Sequence, residues 1–100
     1  MPGNMNNLMK QAQKMQRQME EQQKELETKE FTGTAGGGAV SAVMDGKKVL
    51  TKITLDKEAI DPEDKETLEE LIVLAVNDAA SQVDAATSQA YGMLGGGFQF

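Results

Sequence analysis

The stretch AVSAVMDGKKVLTKITL, residues 39–55, decides the fold class, because here the apolar period falls from 3.6 residues to about 2. Asp45-Gly46 sits between the runs Ala39–Met44 and Lys48–Leu55, and an Asp-Gly pair so flanked is a strong hairpin signal. A two-residue turn there places Val40, Ala42 and Met44 on one face with Val49, Thr51 and Ile53. Ser41, Lys48 and Lys52 then fall on the other face. Upstream, Glu30–Thr34 is a short candidate strand leading into Gly36-Gly37-Gly38. A phosphate-binding loop would need Lys-Ser/Thr directly after the last Gly, at a helix start. Ala39-Val40 follows instead and opens a strand, so the glycines read as a bend or bulge. Residues 30–56 are therefore expected to form a half-buried antiparallel sheet of two or three strands.

Both sides of this segment read as long helices. Residues 4–29 are filled by Leu, Met, Gln, Lys and Glu, with Asn4 and Asn7 as candidate N-caps. Met5, Leu8, Ala12, Met15, Met19, Gln22 and Leu26 step alternately by three and four, a weak heptad seam. Downstream, Asp61 with Pro62 predicts a helix start, and Glu63, Asp64 and Glu66 suit its positive end. An apolar stripe follows through Leu68, Leu71/Ile72, Ala75/Val76, Ala79, Val83, Ala86 and Ala90, and Gly92 is the expected stop. This predicts a helix over 61–91 and a Gly-rich tail over 92–100. Each helix would be about 40 Å long at 1.5 Å per residue, longer than a compact 100-residue domain is wide. Both should project and find a partner, most economically a second copy in a twofold homodimer.

Composition narrows the chemistry. One hundred residues make one small domain over 1–100. The chain has no Cys and no His, so it lacks a thiol nucleophile, the commonest general base and the commonest metal ligand. No apolar run is long enough to span a membrane and none resembles a signal peptide. A cytoplasmic protein is expected, with no catalytic residues, metal ligands, cofactor or small-molecule substrate. The acidic run Glu63, Asp64, Glu66, Glu69, Glu70 lacks the spacing of a calcium loop and reads as a solvated helix start. Four aromatics, with only Phe31 near a strand, argue against single-strand recognition by stacking.

The net charge of −6 argues against a polyanionic partner, but its distribution argues the other way. Residues 1–19 carry Lys10, Lys14 and Arg17 and no acid, whereas residues 61–100 carry a single base, Lys65, among eight acids. Lys10, Arg17 and Lys24 share the heptad position opposite the seam, and Lys14 flanks them. Lys10–Lys14 and Lys14–Arg17 are like-charge neighbours, each costing a few tenths of a kcal/mol, or about 0.2–0.5. They also lie in the half of the helix where the dipole favours acids. A helix shaped only for stability would carry Glu there, and anionic phosphates would relieve the cost. The bland alternative is an ordinary solvated face. The methionines of this helix read as adaptable packing, with a promiscuous peptide groove as the sharper alternative.

Asn7-Leu8-Met9-Lys10-Gln11-Ala12-Gln13-Lys14-Met15-Gln16, Thr32-Gly33, Gly36-Gly37-Gly38, Asp45-Gly46 and Asn77-Asp78-Ala79-Ala80 occur in this order over nearly the whole chain. In that ordered set the sequence resembles the YbaB/EbfC family of bacterial nucleoid-associated proteins. The resemblance implies an α+β subunit of order α-β-β-β-α and a tweezer-like homodimer with helices projecting from a small sheet. It also implies binding to double-stranded DNA in the nucleoid, with effects on DNA conformation and gene expression. Lys10, Lys14, Arg17 and Lys24 are the expected DNA contacts, made to backbone phosphates with low or shape-based specificity. The competing expectation is a homodimeric protein-interaction module whose Met-rich seam docks a partner helix without touching DNA.

Overall fold

The computed structural model describes residues 2–94, so Gly95–Phe100 of the expected tail lie outside the described residues. The elements run α1 (Pro2–Thr28), β1 (Phe31–Ala35), β2 (Val40–Met44), β3 (Leu50–Leu55) and α2 (Lys65–Leu94), with 3₁₀ turns at Gly36–Gly38 and Lys57–Ala59. The three strands form one antiparallel sheet in the order β1-β2-β3. This is the expected α-β-β-β-α layout, with two long helices on a small sheet.

Alternation decides which face of the sheet is buried. Phe31, Gly33, Val40, Ala42 and Met44 point to one side and are buried, while Thr32 and Thr34 point to the other and are exposed. α2 covers the apolar side with Ala75, Ala79 and Val83 buried at the centre of the stripe read from the sequence. It lies mainly across β1 and β2. The contact is close because it is made of small groups: a Cβ at Gly33 would overlap the Ala75 carbonyl oxygen and the Ala79 amide nitrogen. Phe31 is spent in this core, with the Lys29 ammonium 5.5 Å from its ring centroid.

Several boundaries differ from the sequence reading, each for a local reason. α1 begins at Pro2, where a missing N–H costs nothing, so Asn4 and Asn7 lie inside the helix and do not cap it. β1 starts at Phe31, one residue after Glu30. Asp61-Pro62 forms a turn ahead of α2, with the Asp61 side chain accepting from the Glu63 N–H. Asp64 caps the helix instead: its carboxylate accepts from the Thr67 N–H at 3.4 Å and the Thr67 hydroxyl at 2.7 Å. Gly92 does not stop α2, which continues to Leu94. The three glycines of the β1–β2 connection all take left-handed φ of 64°, 69° and 97°, the reason glycine recurs there.

The hairpin differs most. Its turn is not a two-residue one: the Asp45 N–H reaches the Val49 carbonyl, and the Asp45 side chain accepts from the Lys47 and Val49 N–H groups. Lys48 carries the left-handed φ of 67° that such a loop needs. The pairing then runs Met44↔Leu50, Val43↔Lys52 and Ala42↔Ile53, with Thr51 bulged out. Ile53 stays on the expected face, joined by Leu55. Val49 and Thr51 do not: both are exposed. Lys48 also leaves the outer face, its Nζ pairing with Asp84 of α2 at 3.0 Å. Gly46 is required by neighbours rather than by φ. Its N–H donates to the Glu27 carbonyl at 3.0 Å, and a Cβ would overlap the Leu26 carbonyl of α1.

That contact is where α1 is held. Leu26 packs against the core, and Lys47 pairs with Glu27 at 3.9 Å. From Met5 to Glu25 every residue of α1 is exposed. The molecule measures 77 × 27 × 16 Å with a radius of gyration of 20.5 Å, against about 13 Å for a compact domain of this length. Its accessible surface of 7924 Å² likewise exceeds the roughly 5,500 Å² typical of a compact monomer of this mass.

Two glycines should therefore respond oppositely to alanine. Gly33→Ala should lower stability by about 2–4 kcal/mol, because α2 backbone must retreat from the sheet. Gly92→Ala, in helix with open space around it, should raise stability by about 0.5 kcal/mol. Urea midpoints compared with the parent chain read both.

Candidate nucleic-acid interface

Lys10, Lys14, Arg17 and Lys24 all lie on α1 and all are exposed. Helical rotation of about 100° per residue sets Lys10, Arg17 and Lys24 within a narrow sector nearly opposite Leu26, the residue that faces the core. Lys14 falls on the flank of the same sector. The cations therefore point away from the body of the chain. By helical rise, Lys10 and Lys24 stand about 21 Å apart along the axis, a length over which duplex DNA presents about a dozen phosphates.

Among the described residues, no base of this face is held in an ion pair. Among the described residues the ion pairs are Lys47–Glu27 and Lys48–Asp84, neither of which uses a base of α1. Glu21 is the acid that lies on the cationic face, one turn beyond Arg17. Between Lys10 and Glu21 the side chains of Gln13, Lys14, Arg17 and Gln18 line one shallow surface depression. Gln13 and Gln18 escaped the charge-based reading, although their places beside Lys14 give them polar reach toward the same ligand.

Beyond the acids in the second half of α1, a further cluster lies on α2. Glu66, Glu69 and Glu70 occupy the first turns of α2, beside the exposed Val73 and Leu74. After Asp84, α2 carries no charged residue as far as Leu94, and it is this stretch that meets α1: Ala90 and Tyr91 share a crevice with Met19, Gln22, Gln23 and Leu26. The rod thus runs beside a neutral segment, with the acidic helix start at the sheet end. On the seam side, Met5, Leu8, Met15 and Met19 remain exposed.

The strand faces supply no rival site. Phe31 is buried, so the outer face, with Thr32, Thr34, Lys52 and Thr54 exposed, has no aromatic side chain for base stacking. No helix among the described residues is long and apolar enough to cross a membrane.

Residues 1–98 match the family model described as the YbaB/EbfC DNA-binding family. A nucleoid-associated protein of Clostridium acetobutylicum is 55% identical over 95 residues, covering 95% of this chain and 85% of the relative. A nucleoid-associated protein of Agathobacter rectalis is 59% identical over 101 residues, covering 97% and 89%. The crystal structure of an uncharacterized protein from Helicobacter pylori superposes with a TM-score of 0.63 at 24% identity, covering 82% of this chain and 96% of that one. That likeness concerns the fold. With a match over almost its whole length and relatives above half identity, the chain belongs to the YbaB/EbfC family of nucleoid-associated, DNA-binding proteins.

Proposed function

We propose that the protein works as a homodimer that binds double-stranded DNA through backbone phosphates, using Lys10, Lys14, Arg17 and Lys24 of each α1. The observation that carries this is the exposed cationic face, without an ion pair among the described residues, on a helix that projects from the body of the chain. Lys and Arg that neutralise phosphates release condensed counterions, so affinity should fall steeply as salt rises. The cations dominate this face and phosphates are their densest partners, so sequence preference is low or comes through groove shape and deformability. Two rods on one dimer engage one duplex at two places, which alters its path and, in the nucleoid of the cytoplasm, the expression of nearby genes. It acts as a binding protein, without catalysis, cofactor or small-molecule substrate.

The exposed Met5, Leu8, Met15 and Met19 favour a second reading, in which the seam docks a partner helix and DNA is not touched. Titration with a generic duplex at low salt separates the two.

Under the first reading, plots of log affinity against log salt should flatten by about 0.9 for each phosphate contact removed. Lys10→Ala, Lys14→Ala and Arg17→Ala should each show that change, and unaltered slopes would take the stripe out of the mechanism. Lys14→Glu should separate stability from function. It converts two repulsive pairs, with Lys10 and Arg17, into attractive ones worth about 0.2–0.5 kcal/mol each. Helicity and thermal stability should hold or rise by circular dichroism while DNA affinity at low salt drops at least tenfold.

A further inference from the structure

The apolar seam of α1 continues past the point where its neighbouring helix stops. Met19, Gln22 and Leu26 of the seam, with Gln23, share a crevice with Ala90 and Tyr91, so α2 lies along the C-terminal part of the seam. α2 ends at Leu94, about one turn beyond Ala90 and therefore close to the level of Met19. From there α1 runs on alone. Met5, Leu8 and Met15 on this overhang are 68%, 63% and 62% exposed. Ala12 stands between Leu8 and Met15, and its small side chain leaves a notch in the row.

The chain continues from Leu94 as Gly95-Gly96-Gly97-Phe98-Gln99-Phe100, outside the described residues. Three features of this segment match the overhang. Six residues reach about 20 Å when extended, and Met19 to Met5 is about 21 Å by helical rise. Phe98 and Phe100 are two positions apart, so an extended backbone turns both rings to one side and Gln99 to the other. From Ala85 to Phe100 no side chain is charged, so the segment can lie beside α1 without neutralising Lys10, Lys14 or Arg17.

We propose that residues 95–100 run on from α2 along the seam of α1 in the same chain. Phe98 fills the notch at Ala12 between Leu8 and Met15, and Phe100 reaches toward Met5. Gly95, Gly96 and Gly97 let the backbone leave the α2 axis in any direction and carry no side chain to hold it off the helix. Four extended residues cover about 13 Å, enough for the distance of about 10 Å from Met19 to Ala12. The Met15 thioether then meets an aromatic ring, a favourable contact. The cationic positions lie on the opposite side of α1 and stay open. The occupant of the seam is thus a segment of the chain itself and not a partner helix, and it braces the rod without entering the DNA face.

The sequence has no cysteine, so a pair of introduced thiols reports the contact without background. Ala12→Cys/Phe98→Cys in the full chain should close an intrachain disulfide at least tenfold faster than Gln13→Cys/Phe98→Cys. Gln13 stands at nearly the same height on α1 but faces the depression lined by Lys10, Lys14 and Arg17. Equal rates, or a disulfide formed between chains, would overturn the proposal. Hydrogen peroxide gives a second reading with both rings in place. Met15 should oxidise to the sulfoxide several-fold more slowly in the parent chain than in Phe98→Ser/Phe100→Ser. Equal rates would contradict the proposal, whether the seam is bare in both chains or covered in both by something else. Neither experiment uses DNA, so the placement of residues 95–100 and the phosphate contacts of α1 stand or fall separately.

Discussion

The close approach of α2 to β1 governs the rest of the architecture. Gly33, Ala75 and Ala79 let helix backbone and strand backbone come nearly into contact, and the apolar face of a three-stranded sheet has room for one helix at that distance. Asp78 and Gln82 then lock the helix over β1 by hydrogen bonding to its edge. The second long helix, α1, meets this core near its C-terminal end, through Leu26. Among the described residues α1 is held near its C-terminal end, through Leu26, Glu27 and the Gly46 turn, with Met19, Gln22 and Gln23 beside Ala90 and Tyr91 of α2, and the residues before them project into solvent. A short element so anchored would fray; α1 persists as a rod on strong local propensity, being almost free of β-branched residues and glycine.

Projection resolves the conflict between an acidic chain and an anionic ligand. Lys10 lies 18 residues before Thr28, about 27 Å of helix from the anchor, whereas charges in physiological salt are screened over about 8 Å. Phosphates near the far end of the rod therefore respond to the local charge of +3 in residues 1–19 rather than to the total of −6. The absence of charge from α2 beyond Asp84 keeps the neighbouring helix from cancelling it. In the proposed binding mode, the acidic start of α2 would repel DNA from the other end of the molecule and so favour contact on the α1 side.

What could be read in the sequence follows from how local each signal is. The two helices, the apolar stripe of α2 and the cationic face of α1 are periodic features of a single segment, and the structure places them as read. The hairpin register is not local. Its longer turn goes with the Asp45 side-chain bonds to the Lys47 and Val49 N–H groups and with the Gly46 contact to the Glu27 carbonyl of α1, and the latter has no trace in residues 39–55 alone. The start of α2 differs from the sequence expectation because Asp61-Pro62 and Asp64 are both competent caps. Asp64 prevails through its added bond to the Thr67 hydroxyl. The edge-covering roles of Asp78 and Gln82 are likewise tertiary, and neither residue type announces them.

The central claim is that phosphates meet α1 and not the body of the chain. Lysine acetylation of the protein with and without excess generic duplex at low salt, read residue by residue by mass spectrometry, tests it directly. Lys10 and Lys14 should become several-fold less reactive in the complex, while Lys57 and Lys65, at the sheet end of the molecule, keep their free reactivity. Unchanged modification of Lys10 and Lys14 under conditions where DNA is bound would contradict the account.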